Sequence, residues 1–135
     1  MTKKTLNHSF SLDDKYTLFE GRIILSGIQA LVRLLLDQHR ADLIKGLNTG
    51  TLVSGYRGSP VGTLDLNMIK NKKLLDQHNV KFIPGVNEDL GATLIYGSQM
   101  AGMVSNVKYD GVLGMWYGKA PGVDRSGDIF RHANF

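Results

Sequence analysis

The chain has 135 residues, about one domain of polypeptide at the ~150 residues a domain usually takes, and too short for two substrate-sized domains with a cleft between them. Hydrophobic residues make up 42% and charged residues 21%, a balance that excludes an intrinsically disordered chain. There is no cysteine, so disulfides, a Cys-ligated zinc and an iron–sulfur cluster held by this chain are excluded. The net charge of +4 is spread out, with small clusters at Lys3–Lys4 and at Lys70, Lys72 and Lys73. No arginine-rich run alternates with aromatics, so no nucleic-acid partner is expected. The 16 glycines stand out, about 12% against the ~7% of an average protein.

Residues 1–16 read as a polar leader without a period, and Lys3, Lys4, Asp13 and Asp14 are not the pattern of a secretory signal. The most apolar segment, Ile23 to Leu36, is interrupted by Gln29 and Arg33 and is too short and polar to span a bilayer. No membrane partner and a cytoplasmic location are therefore expected. Ile24, Ile28, Leu31 and Leu35, widened by Val32 and Leu36, have helical spacing, with Arg33, Asp37 and Arg40 mostly on the other face. Ser26 or Gly27 marks the start of that helix and Gly46 its end. Thr51–Ser54, between Gly50 and Gly55, is a short strand. Ser59-Pro60 then offers a cap followed by a proline at the first helical position, opening a helix with Leu64, Met68 and Leu75 that ends in lysines.

Val80–Ile83 is a second strand, closed by Pro84-Gly85. Asn87 caps the next helix, Glu88 and Asp89 sit in its first turn, and it runs to about Val104. Its small residues Gly91, Ala92, Gly97, Ser98, Ala101 and Gly102 suggest that another backbone or a ligand comes close, because an interior glycine costs about 1 kcal/mol. Gly111–Tyr117 is a third strand, followed by a loop rich in glycine and charge from Gly118 to Arg125. A helix followed by three strands alternating with two helices predicts an α/β domain with a parallel sheet flanked by helices.

Ligands of such sheets bind beyond the carboxyl ends of the strands, and three strand–helix junctions carry the unusual residues. In Gly55-Tyr56-Arg57-Gly58-Ser59-Pro60 two glycines let a ligand approach the backbone, and Arg57 offers a fork for a carboxylate or phosphate. It is neither a Walker A loop nor a dinucleotide fingerprint, and a tight turn with a solvated arginine explains it as well. Gly85-Val86-Asn87-Glu88-Asp89 holds Glu88, one of two glutamates, which also serves as a plain complement to the helix dipole. Trp116 to Arg125 crowds Lys119, Asp124 and Arg125 near the only tryptophan, a pattern shared with a folding loop that carries a local Asp124–Arg125 pair. His132 stands alone, and no cluster of metal-ligand spacing is present.

Taken together, Ser54-Gly55-Tyr56-Arg57-Gly58-Ser59-Pro60, Asn87-Glu88-Asp89-Leu90-Gly91-Ala92-Thr93 and Trp116-Tyr117-Gly118-Lys119 through Asp124-Arg125-Ser126-Gly127-Asp128 resemble the N-terminal part of the fused, long-form indolepyruvate ferredoxin oxidoreductases. Gln29-Ala30-Leu31-Val32-Arg33 and Gly46-Leu47-Asn48-Thr49 fit in order and spacing, and the likeness covers roughly residues 17 to 134. These are thiamine-diphosphate-dependent enzymes that oxidatively decarboxylate a 2-oxoacid, here an aryl pyruvate, to an acyl-CoA and pass electrons through iron–sulfur clusters to ferredoxin. The resemblance implies that residues 17–135 are part of the domain holding the cofactor's aminopyrimidine, with Glu88 as the catalytic carboxylate. Hydrogen-bonded to a pyrimidine nitrogen, a carboxylate favours the imino tautomer, whose nitrogen takes the thiazolium C2 proton, and a neutral glutamine cannot replace it.

The same resemblance makes Gly55, Tyr56, Gly58 and Asn87 cofactor-binding residues beside Glu88. It puts Ser59 and Arg57 near the substrate, although more distant relatives carry an apolar residue in place of Arg57. Lys119, Asp124 and Arg125 match a motif without a defined role, and Gly91 stands where the long form has alanine. The Mg²⁺ and diphosphate site, the CoA machinery and the cysteine clusters have no counterpart among these residues, so the chain reads as an N-terminal fragment, inactive alone and completed by further domains or subunits. The complete enzyme is expected to be a homo-oligomer. Two other readings remain open on the residues themselves: a stand-alone anion- or nucleotide-binding module built on Gly55–Pro60, and a partner-binding domain whose sheet another chain completes.

Overall fold

The computed structural model describes residues 10–57 and 61–134. Its longest helix, α2 (Gly27–Ile44), starts where the chain chemistry changes: the Ser26 hydroxyl accepts from the Gln29 amide while the Gln29 side chain accepts from the Ser26 amide, a reciprocal capping box. The helix stops at Gly46, whose φ of +77° is costly for a side chain. There the Gly46 amide donates to the Leu43 carbonyl and the Leu47 amide to that of Asp42, a Schellman closure. Val32, Leu35, Leu36 and His39 form the buried stripe. Ile24 lies outside it, exposed ahead of the helix, so the apolar face begins one turn later than the spacing predicts.

The leader is not polar to its end, since α1 (Asp14–Thr17) inserts Tyr16 into the core. Arg33 and Arg40 are the reason it stays there. Instead of being solvated, Arg33 donates to the carbonyls of Lys15 and Leu18 at 2.7 Å each, and Arg40 donates to that of Tyr16 at 2.6 Å. Asp37 holds both guanidinium groups, at 2.9 Å and 2.7 Å. The unpaired carbonyls at the end of α1 are thus satisfied by cations, which suit that end of a helix.

Three parallel strands form the sheet in the order β2-β1-β3, with β1 (Thr49–Gly55) central, β2 (Val80–Phe82) on one side and β3 (Gly111–Tyr117) on the other. Successive side chains of a strand point to opposite faces. Val53 therefore joins α2 in the main core, and Ser54 faces α5 (Glu88–Gln99). The helix between β1 and β2 is two pieces, α3 (Leu64–Lys70) and α4 (Lys72–Gln77), meeting at Asn71, whose side-chain Nδ2 donates back to the Asn67 carbonyl at 2.8 Å. Lys70 accordingly ends α3, in its last turn, whereas Lys72 and Lys73 open α4. The first turn of α3 begins at Leu64, and the Ser59-Pro60 start signal lies outside the described residues.

Helix α5 ends at Gln99, short of Val104, and a 3₁₀ turn at Ala101–Met103 follows it. Of its two glycines one meets the expected close neighbour: a Cβ at Gly91 would lie 3.3 Å from the Ser54 hydroxyl, whereas Gly97, like Gly102 in the 3₁₀ turn, faces open space. After β3, the expected loop is helical, as α6 (Ala120–Arg125) and α7 (Gly127–His132). Pro121 lies in the first turn of α6, where its missing N–H costs nothing. No described helix is long and apolar enough to cross a membrane.

Candidate functional site

The three junctions meet at the carboxyl ends of the strands. Gly55 closes β1 against the end of β3, where the Tyr56 amide donates to the Tyr117 carbonyl at 3.3 Å. A Cβ at Gly55 would lie 2.2 Å from that carbonyl oxygen, so only glycine lets the two strand ends converge. The Gly85 amide donates to the Gly55 carbonyl at 2.8 Å and ties in the turn after β2. Gly55 is buried, and Tyr56 is exposed beside it.

From that turn the chain enters α5. The Asn87 side chain accepts from the Leu90 amide at 2.8 Å, satisfying one of the free donors of the helix start. Glu88 and Asp89 follow in the first turn, half-buried, where the partial positive charge of the helix favours carboxylates. They have different partners. Asp89 takes the Arg125 guanidinium at 2.6 Å, with the buried Ser126 hydroxyl 3.5 Å from its other oxygen. The hydrogen bond to Asp89, then the charges of Asp89 and Glu88, hold the Arg125 pKa above its ordinary value. Arg125 thus pairs across the fold with Asp89, and the local Asp124–Arg125 pair does not form.

Glu88 has no ion-pair partner among the described residues, so its carboxylate keeps its acceptor capacity. What it has is a backing. Its side chain lies against Gly122 of α6, where an added Cβ would meet Glu88 Cγ at 2.4 Å and Oε1 at 3.1 Å. On the other side the Trp116 indole donates to the Glu88 carbonyl at 3.2 Å, and Phe130 of α7 meets the Trp116 ring edge-on, 5.0 Å between centroids. The third motif therefore does its work on the second one: β3, α6 and α7 enclose the first turn of α5. Lys119 and Asp124 are exposed and stay out of these contacts.

Arg57 is also exposed and leans toward Asp65 of α3, 3.7 Å away. Asp65 is buried, and the phenol of Tyr117 lies within reach of both charges. Burial raises the Tyr117 pKa, Asp65 raises it further, and Arg57 acts against them. Among the described residues the buried Ser54 and Tyr117 hydroxyls have no hydrogen-bond partner. Gly58 and Ser59 lie outside the described residues. His132 is exposed, 3.7 Å from Asp128. Among the described residues no three His, Asp or Glu side chains gather as a metal site.

The residues not anticipated as part of the site are Trp116, Gly122 and Ser126. A signal for Gly122 is present in Ala120-Pro121-Gly122, because proline in a first helical turn turns an apparent loop into a helix. Comparison of the chain with models of known families, with characterised proteins and with solved structures finds no match.

Proposed function

We propose that this chain contributes the aminopyrimidine-holding part of a thiamine-diphosphate-dependent 2-oxoacid ferredoxin oxidoreductase of the indolepyruvate type. The observation that carries the reading is Glu88: a half-buried carboxylate with no ion-pair partner among the described residues, in the first turn of a helix, at the carboxyl ends of three parallel strands. The donor chemistry fits the cofactor. A carboxylate meant to accept a hydrogen bond from a protonated pyrimidine nitrogen must stay ionised, unpaired and fixed in direction. The helix start favours the anion, Arg125 is diverted to Asp89, and the backing by Gly122 limits where the carboxylate points.

When bound, the cofactor supplies the nucleophilic carbon that attacks the keto group. The chain's own residues do the rest of what is proposed here. Glu88 would accept the hydrogen bond from the pyrimidine N–H as an ionised carboxylate and so favour the imino tautomer. Gly55 and Tyr56 border the ring, and Asn87 keeps the helix start in register. Arg57 is proposed to pair with the substrate carboxylate, leaving its loose pairing to Asp65, and Ser59 to hydrogen-bond the keto acid. Mg²⁺, the diphosphate, CoA, ferredoxin and the iron–sulfur clusters belong to the remaining domains or subunits.

The test is Glu88→Gln in the assembled enzyme. The neutral isostere keeps the shape and removes the charge-assisted bond, so 2-oxoacid-dependent acceptor reduction is expected to be abolished while the fold is retained. Near-normal turnover in that variant would refute the catalytic role. A second reading, completion of the sheet by another polypeptide, is favoured by β3, an uncharged seven-residue strand paired on one side only among the described residues. Concentration-dependent self-association of the chain supports it, and a monomer at all concentrations counts against it.

A further inference from the structure

At the opposite ends of the strands, two histidines face each other. We infer that His39 and His78 share a single proton as a latch, closing the seam between α2 and the α4–β2 junction near neutral pH and opening it on acidification. His39 sits on the buried stripe of α2, 4% exposed, and His78 follows α4 directly. Their Nδ1 atoms are 3.1 Å apart, with the ring planes at 87°. Two facing nitrogens at this distance need one hydrogen between them: with none they repel, and with two the hydrogens collide.

Asn79 decides which ring donates. Its Nδ2 lies 3.2 Å from the Thr49 carbonyl, 3.2 Å from Asn48 Oδ1 and 3.2 Å from His39 Nε2. The Thr49 carbonyl can only accept, so this atom is the amide nitrogen, and His39 Nε2 facing it must be bare. His39 accordingly carries its hydrogen on Nδ1 and donates to His78 Nδ1, which leaves the His78 hydrogen on Nε2. The left-handed backbone of Asn79, φ +55°, sets its side chain into this position between α2 and β1. A proton added to His78 Nδ1 removes the acceptor, and one added to His39 Nε2 meets the Asn79 amide.

The surrounding charges are few. On α2, Arg40 disfavours a further proton on His78 and Asp37 favours one. Asp42, buried three residues beyond His39, is engaged by Thr49 Oγ1 at 2.7 Å and Gln38 Nε2 at 2.9 Å. Asp76 of α4 is held by Lys72, and β1 and the preceding turn contribute the neutral Thr49 and Asn48. Burial, then Arg40 and His39, keep the folded His78 below the ordinary histidine value. Between that lowered value and ~6.5 the unfolded chain binds the extra proton, so stability is complete above ~6.5 and falls as pH drops through the window, up to about tenfold in the folding constant per pH unit.

The test uses the full 135-residue chain. Long-range ¹H–¹⁵N ring spectra at pH 7.5 are expected to show His39 protonated at Nδ1 and His78 at Nε2. In urea titrations from pH 7.5 to 5, His78→Gln should flatten the acid loss relative to wild type by up to about tenfold per pH unit. Two results overturn the latch: a His39 hydrogen on Nε2, or parallel acid loss in wild type and variant. The ring spectrum needs no variant and decides the matter even if His78→Gln does not fold.

Discussion

Gly122→Ala separates the stability of this fold from the geometry of its candidate carboxylate. The new methyl carbon would stand 2.4 Å from Glu88 Cγ, against the ~3.5–4.0 Å of a good carbon–carbon contact, so the glutamate must withdraw by at least about 1 Å. The atoms in the way belong to a half-buried side chain, which turns to another rotamer at a cost of about 0.5–1.5 kcal/mol. Alanine in place of glycine in α6 returns up to about 1 kcal/mol. The expected net change in unfolding free energy is within about 1 kcal/mol of wild type, measured by urea denaturation of the chain. The carboxylate, however, is displaced, visible in NMR spectra as changed Glu88 side-chain shifts and as contacts from Glu88 to the introduced methyl group. In the assembled enzyme a displacement of about 1 Å is expected to lower turnover by about 10²-fold. A stability loss above about 2 kcal/mol, or an unmoved Glu88, refutes the reasoning, because either shows that the backbone of α6 yields and not the glutamate.

Gly55→Ala is expected to behave in the opposite way. Its Cβ meets a backbone oxygen at 2.2 Å that no rotamer change relieves, so overpacking and loss of the Tyr56–Tyr117 hydrogen bond together cost about 3 kcal/mol in denaturation, and a cost below about 1 kcal/mol contradicts the convergence of β1 and β3. Tyr117→Phe deletes a buried hydroxyl that has no partner among the described residues and keeps the ring, so stability should match wild type or exceed it by up to about 1 kcal/mol. A clear loss in the same assay argues for a partner to that hydroxyl.

Most of the scaffold is legible in local chemistry. Ser26, Gly46 and Asn87 act through hydrogen bonds within a few residues, and they mark α2 and α5 because their effect does not depend on the rest of the chain. Strand β3 lies where its bounding residues put it, at Gly111–Tyr117. Legibility fails where a distant partner decides. The two arginines on the outward side of α2 look solvated until α1 arrives to use them. The segment 120–125 looks like a loop because proline and glycine dominate it, although proline in a first turn is compatible with a helix and the glycine is needed for Glu88 to fit. Glu88 itself is readable as a residue to watch. Its backing by Gly122 and the diversion of Arg125 to Asp89 are not, being contacts between motifs far apart in the chain.

The strand order also sets a sequence of events in folding. Because every pairing is parallel, no hairpin can zip the sheet, and each strand must wait for a helical excursion to close. The β1–β2 side closes a span of 30 residues, as between Thr49 and Asn79, and the β1–β3 side one of 62, as between Asn48 and Asp110. Doubling a loop costs only ~0.6 kcal/mol, about a threefold disadvantage in closure, so chain entropy favours the β2 side only slightly. What β3 brings is length, seven residues in register with β1 against three for β2. The longer β1–β3 pairing also carries Trp116 to the Glu88 carbonyl, so closing the sheet on that side brings the backing of the candidate carboxylate with it. The single tryptophan is therefore a built-in fluorescent reporter of whether β3 is docked against the first turn of α5.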